Sequence, residues 1–599
     1  MSRFRAMDKI KDTLVGDYSW GVLCTPQLPW SRKRAAPPFF GKDEKISVLV
    51  AMVMGLQHAL SMVGGIITPP VILAGAAYGD FTAKETEYLV SAALIVSSIA
   101  SFIQVTQFKI PFTRYVIGSG LLSVMGVTFA YLPVAQAVIQ TLRSCTCAGV
   151  PCTTGAGGTC DACPVAVVGS CFEGRKAYGH VLGTILVTCW FQVALSFCPP
   201  RYLEKIFPPV VTGPTVILIG VALITTGIEE WGGGTYCASQ VLTTQVLCSG
   251  NGDVQLPFGH KFYLGLGLVV FFTLLVVELF GSPFMRNTQI VIGLVVGVVV
   301  AAAVQVTRHD ANGVPHHYRY VTNTEISQAP WITFLWVHTF PLGFYAPAVL
   351  PMLFACMVSV MEAIGDVTAT TEASQLQPFG ADFDRAVQGA VLADGLNSFW
   401  AALATMTPVV TYAQNNGVIS LSGCASRRAG YACCFWLMLL GVIGKFGGII
   451  LTIPTCVLGA MTTFLFASVI VSGIGVLTSR RALSRRDRFI TIMALGIGLG
   501  VNLVPAWINI SGQQEYPYQG NFWPINPSWS SGFLGFRDAL IIMLSNGFSI
   551  GGLIALFLNL ILPKDKEPMK EADGLPHSQR MTESFRKEKG VQPVASDVE

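Results

Sequence analysis

The sequence predicts an all-α polytopic membrane protein with 14 transmembrane segments in a 7+7 inverted layout. Charged residues are 12% of the 599, about half the ~25% of a soluble domain, and mean hydropathy is +0.57. Residues 288–305 and 489–511 carry no charge, and about 20 apolar residues suffice to cross a ~30 Å hydrocarbon core. Similar segments recur without the alternation of a barrel strand, so backbone hydrogen bonding in lipid demands helices. This composition argues against a soluble enzyme, a nucleic-acid partner and a disordered chain. The net charge of +4 points to no acidic partner, and membrane lipid becomes the expected surroundings.

Residues 1–45 are polar and contain Arg3, Arg5, Lys9, Lys11, Arg32, Lys33 and Arg34. They read as a cytoplasmic tail, not a cleavable signal. The transporter region, 46–562, splits into halves at about 46–306 and 343–562. Its apolar segments lie near 47–77, 87–106, 114–141, 179–198, 208–227, 262–281, 287–306, 343–370, 386–403, 408–423, 430–450, 452–474, 489–508 and 537–562. An even number returns the tail 563–599 to the cytoplasm. The basic residues Arg427, Arg428, Arg480, Arg481, Arg485, Arg486 and Arg488 then fall on inside loops. Loops 142–178, 229–261, 307–342 and 509–536 face outside, and the hydrophilic C-terminal tail is expected to be disordered.

An odd number of spans in each half places the halves in opposite orientations. The third segment of each is interrupted, by Gly118, Gly120 and Gly126 in one and by Pro408 and Gly417 in the other. Paired interruptions of this kind point to a binding site at the membrane midplane of a transporter.

The eighth segment carries Glu362 and Asp366, whose i, i+4 spacing puts both carboxylates on one helix face. Each would be costly in lipid, so a protein cavity is expected beside them, Glu362 accepting from ligand N–H groups. Asp366 also reads as an acid near the membrane surface. Asp394 reads equally as a proton carrier or a packing hydrogen-bonder. In TPVVTYAQNNGVISLSG, residues 407–423, a short extended stretch Val409–Ala413 feeding a half-helix would leave backbone groups free for a ligand. Gln414 both donates and accepts and suits a heterocycle edge, while Asn416 reads equally as amide glue between helices. Gln57 and His58 lie within the first segment, the His as a proton relay or a structural hydrogen-bonder. Phe129 is placed to stack on a planar ligand, although composition makes it one of 36 Phe.

Six cysteines (Cys145, Cys147, Cys152, Cys160, Cys163, Cys171) occupy one outside loop, and Cys237 and Cys248 the next. Even counts there favour disulfides. Cys160–x–x–Cys163 lacks nearby His partners for zinc, and Cys433 and Cys434 read as small packing residues. No Walker A motif is present, so ATP is not expected to drive the protein. No cofactor or metal site is expected, and Asn509-Ile-Ser511 is a weak sequon.

Several stretches carry a resemblance: LQHALSMVGGIITPP (56–70), IGSGLLSVMGVTF (117–129), IFPPVVTGPTVILIG (206–220), EAIGDVTAT (362–370), QGAVLADG (388–395) and ATMTPVVTYAQNNGV (404–418). On these the chain resembles the nucleobase–ascorbate transporters, in particular the fungal uric acid–xanthine permeases. The family signature continues here as Gln414-Asn415-Asn416-Gly417, then Val418 to Leu421, Ser422 and Gly423. Ser422 stands where Thr is usual, Gly423 where close relatives have Arg, Tyr412 where they have Phe and Thr128 where they have Ser. The family links the end of the signature to specificity, so Ser422, Gly423 and Tyr412 are specificity candidates. Gly423 either borders the exit path or ends its helix as a C-cap.

The resemblance implies a 7+7 inverted-repeat fold with core and gate domains, a homodimer, a plasma-membrane location and substrate:proton symport. It assigns purine hydrogen bonds to Glu362 and Gln414, stacking to Phe129 and a backbone contact to Ala413, with Thr128 beside them. It gives Asp366, Asp394, Asn415, His58 and Gln57 roles in transport. The expected activity is uptake of oxidised purines such as xanthine and uric acid. The alternatives are an anion exchanger of the same fold, which would favour cationic residues over Glu362, and a transceptor or channel without coupled uptake.

Overall fold

The computed structural model describes residues 20–26, 39–143, 145–147, 150–151, 167–169, 172–199, 207–240, 247–248, 250–309, 315–378, 380–478, 483–504 and 530–563. A short helix α1 (Trp20–Cys24) precedes the long apolar helices α2 (Val48–Ala74) and α3 (Ala83–Thr106). Helix α3 starts at a capping box in which Thr82 and Glu85 satisfy each other's backbone amides.

The third apolar segment is not a continuous helix. It runs through a buried strand β1 (Met125–Val127) into helix α4 (Leu132–Arg143). Then come α5 (Gly174–Ser196), α6 (Pro209–Trp231), α7 (Lys261–Phe280), the single turn α8 (Pro283–Asn287) and α9 (Gln289–Ala303). After a hairpin, Gln305–His309 paired with Pro315–Arg319, the chain forms α10 (Val349–Ala373) and α11 (Ala381–Leu403). The other interrupted segment repeats the pattern of the first, with a buried strand β2 (Val409–Thr411) leading into the half-helix α12 (Gln414–Ser422).

The two strands pair antiparallel, with Met125 opposite Thr411, Gly126 opposite Val410 and Val127 opposite Val409. Extended backbone at membrane depth is stable only where its polar groups are satisfied by protein. Each interruption supplies the other's partner.

Helices α13 (Arg427–Val442), α14 (Gly444–Leu451), α15 (Thr455–Thr478), α16 (Arg485–Leu503), α17 (Ser531–Ser545) and α18 (Gly547–Ile561) complete the chain. The segment 430–450 is divided at Ile443, and α17 and α18 meet at 90° across Asn546. Among the described residues, seven helices are long and apolar enough to cross a membrane, or eight if that bent pair counts as one. The molecule is therefore mostly helical, but not a set of fourteen unbroken helices. Glycine, proline and polar runs break several segments, and small sheets form where they do.

The helices pack as two bodies. Helix α5 lies against α11 and α10, and α13 against α2 and α3. In the second body α6 lies against α15, α18 and α16, while α7 lies against α9 and α15. The α6–α15 contact is close because small residues recur along it. A Cβ on Gly220 would sit 2.9 Å from the Ile470 amide nitrogen, and one on Gly473 would sit 2.8 Å from that of Ile217. Van der Waals contact of this kind substitutes for the hydrophobic effect between helices in lipid.

Cys237 and Cys248 are joined in a disulfide in the loop after α6. The expected bridging of the six cysteines in 142–178 lies outside what can be described, since only the backbone at Cys145 and Cys147 belongs to the described residues. Cys433 and Cys434 are buried inside α13.

Candidate binding site between the two bodies

A cavity of about 610 Å³ opens between the bodies, within the range of small-molecule sites. One wall is α10, with Glu362, Asp366 and Glu372, together with the β2–α12 junction, Tyr412, Ala413 and Gln414. The other wall is α15, with Ser468 and Ser472, and the start of α6, with Thr212. Phe129 also lines it. Seven of the sequence-derived candidates thus share one cavity: Phe129, Glu362, Asp366, Tyr412, Ala413, Gln414 and Asn416.

Local structure explains how they are presented. Glu362, Asp366, Ala369 and Glu372 recur at helical spacing and line the same face of α10. Ala413 is the N-cap of α12, so Gln414 projects from the first turn, where the positive end of the helix dipole lies. Tyr412 is locked in place. Its hydroxyl donates to the Val127 carbonyl at 2.8 Å, and its amide donates to the Val124 carbonyl at 3.0 Å.

The remaining candidates do not line the cavity. Thr128 is buried; its amide donates to the Pro408 carbonyl at 2.9 Å and its hydroxyl accepts from the Ala130 amide. His58 Nδ1 pairs with Asn415 Oδ1 at 2.7 Å, and Asn415 Nδ2 donates to the Leu122 carbonyl at 2.5 Å. These bonds tie α12 to α2 and to the chain before β1. Gln57 is fully buried, and neither end of its amide has a hydrogen-bond partner among the described residues. Asp394 is fully buried on α11, near the Thr411 backbone. Asp366 accepts from the Thr411 hydroxyl at 3.4 Å. Glu362, Asp366 and Asp394 lie close enough to feel one another's charge, and Glu362 Oε2 is buried with no hydrogen-bond partner among the described residues. Asn416 lines the cavity and accepts from the Thr370 hydroxyl at 2.6 Å.

At the far end of α12, Ser422 is fully buried and Gly423 caps the helix at φ 67°, its amide donating to the Ile419 carbonyl. Neither lines the cavity. Of the two readings of Gly423, the geometry matches the C-cap.

Sequence reasoning missed Ser468 and Ser472 on the opposite wall. They lie in an apolar run where a serine reads as a small packing residue.

Residues 49–507 match the family model Xan_ur_permease, described as "Permease family". The chain belongs to this permease family. It is 41% identical over 559 residues to a "Purine permease" of Emericella nidulans, covering 93% of this chain and 89% of the relative. It is also 41% identical over 570 residues to the "Uric acid-xanthine permease" of that organism, covering 95% and 91%. Identity to the Escherichia coli "Xanthine permease XanQ" is 30% over 519 residues, covering 86% and 91%. Among solved structures, the transmembrane domain of the cyanobacterial bicarbonate transporter BicA aligns with a TM-score of 0.47 at 15% identity, covering 76% of this chain and 96% of that one. Family and relatives make this permease a multi-pass membrane transporter.

Proposed function

We propose that this permease takes up oxidised purines, xanthine or uric acid, by proton symport across the plasma membrane. The observation that carries the reading is the convergence of Phe129, Glu362 and Gln414 on one cavity. A flat aromatic face, an unpartnered carboxylate and an amide suit a planar heterocycle whose edge alternates N–H and C=O groups. A ligand N–H would satisfy Glu362 Oε2, and Gln414 would both donate and accept. A site built on such bonds rejects analogues that leave its polar groups unpaired. The names of the relatives agree with this substrate class.

Glu362, Asp366 and Asp394 form the candidate proton relay, since ionisable groups within membrane segments are costly and mark proton and substrate pathways. In this reading His58 and Asn415, bonded to each other, hold α12 in place beside it. The chain is proposed to cross the membrane fourteen times in two inverted halves, the broken segments counting as crossings, with both termini in the cytoplasm and two copies forming the working unit. In that topology the cavity mouth at Glu372 opens to the cytoplasm, and the body carrying Glu362 and Gln414 moves against the one carrying α15.

The test is expression in cells lacking purine transport. The expected result is saturable accumulation of radiolabelled xanthine that rises as external pH falls and collapses with a protonophore. Uptake indifferent to pH and protonophore would overturn symport, and no competition between purines for uptake would overturn the substrate class.

A further inference from the structure

The segment ahead of α2 is not a loose tail where it meets the site. Residues Phe39–Ile46 lie as a strap on the loop Gly423–Arg428, which joins α12 to α13. The Phe40 amide donates to the Gly423 carbonyl at 2.7 Å, and the Ala425 amide to the Phe40 carbonyl at 2.9 Å. The Arg427 amide donates to the Lys42 carbonyl at 3.0 Å, and the Ser426 hydroxyl to the Glu44 carbonyl at 2.9 Å. Arg427 pairs with Asp43, and Arg428 donates to the Ile46 carbonyl at 3.1 Å.

Beneath these bonds is an apolar cluster separate from the main core. Ile46, Val50 and Met54 pack there with Ile419 of α12 and Cys424, and Phe39, Phe40 and Ala373, the last residue of α10, lie against it. The cluster therefore holds together one end of both helices that present Glu362 and Gln414. Gly423 is the joint: its positive φ ends α12 while its carbonyl receives the strap. At 1.5 Å per residue it stands about 13 Å along α12 from Gln414.

We propose that the strap Phe39–Ile46 is a positioning element for the purine site, holding α12 where Gln414 meets the ligand, so that release of the strap weakens purine binding. The proposal rests on the purine reading above. Asp43 and Phe40 act through α12 and touch no substrate. Because coupling between two events is reciprocal, bound purine must in turn hold the strap down.

Cys424 makes this measurable. It is fully buried under the strap and pairs with Phe40, and burial pushes its thiol up to about 11. Release of the strap exposes it and speeds its reaction with a maleimide. The experiment uses the full-length permease in membranes, with labelling at Cys424 followed by peptide mass spectrometry, and xanthine affinity measured separately. Saturating xanthine is expected to slow labelling about fivefold or more, the lower end of typical coupling. Asp43→Arg, which sets a positive charge against Arg427 and Arg428, is expected to speed labelling and weaken xanthine binding by a similar factor. Asp43→Arg with Arg427→Asp restores both. Equal labelling with and without bound xanthine overturns the proposal. So does an Asp43→Arg chain that labels faster yet binds xanthine normally, or a double variant that restores neither. A chain that binds no xanthine at all overturns the purine reading, and this proposal falls with it.

Discussion

Tyr412 lies face to face with Phe129, ring centres 6.0 Å apart and planes within 8° of parallel. The stack is set from behind, where Gly65 of α2 and Gly126 of β1 leave the slot that Tyr412 fills. A Cβ at Gly126 would come within 2.4 Å of the Tyr412 ring, and one at Gly65 within 2.9 Å.

Gly126→Ala should therefore move Tyr412, and Phe129 with it. Overpacking of this kind costs about 1–3 kcal/mol. Purified protein is expected to unfold at a lower temperature, and any surface-delivered fraction to bind xanthine more weakly. Wild-type stability together with wild-type affinity would show that the slot does not hold the ring.

Glu362→Gln keeps the shape of the side chain but removes an anionic acceptor. Charge-assisted hydrogen bonds contribute ~1.5–3 kcal/mol, so xanthine affinity should fall about 10–100-fold, read by competition on surface-normalised transporter. Unchanged affinity removes Glu362 from the site.

Asn415→Ala deletes both bonds that tie α12 to His58 and to Leu122. Each buried polar group left unpaired costs about 1–3 kcal/mol. Surface delivery is expected to drop sharply while the KM of the residual transport stays within a fewfold of normal. A large rise in KM with normal delivery would instead place Asn415 on the ligand.

Gly423→Arg puts a side chain into the left-handed region, at about 1–2 kcal/mol for an L-residue, whereas Gly423→Asn is better tolerated there. Thermal unfolding should rank glycine above asparagine above arginine. An arginine variant as stable as the parent would refute the capping role.

The Cys237–Cys248 bridge closes a loop with a sequence separation of 11, a constraint of about 3 kcal/mol in the chain-entropy account. Non-reducing mass spectrometry should recover the two as a linked peptide. Linked peptides from 142–178 would extend the bridging to the six cysteines there. Cys237 and Cys248 recovered as free thiols from surface-delivered protein would contradict the structure.

Much of the site was legible because its chemistry violates the solvent. Glu362 and Asp366 stand out as charges in an apolar run, and Pro408 with three consecutive amides cannot be lipid-facing helix. The extended stretch before Gln414 was expected for that reason. What could not be read depends on partners far away in the chain. Nothing near Phe129 distinguishes it from other phenylalanines until β1 meets β2. The pairing of His58 with Asn415 has no spacing rule behind it. Ser468 and Ser472 gain meaning only from the wall they face, and the strap reads as a polar tail because, the Asp43 carboxylate apart, its bonds are made by backbone. The breaks at Ile443 and Asn546 could not be read either, because apolar composition reports immersion and not conformation.

The strand pair at the centre of the molecule also orders its assembly in time. The Tyr412 hydroxyl reaches a carbonyl 285 residues away in the chain. A ribosome adding ~5–20 residues per second needs roughly a quarter of a minute to a minute to make that interval. Throughout that wait the first interrupted segment has no partner strand, and lipid cannot supply one. A nascent or truncated chain ending before residue 409 therefore leaves β1 without its partner strand, whatever the quality of its completed helices.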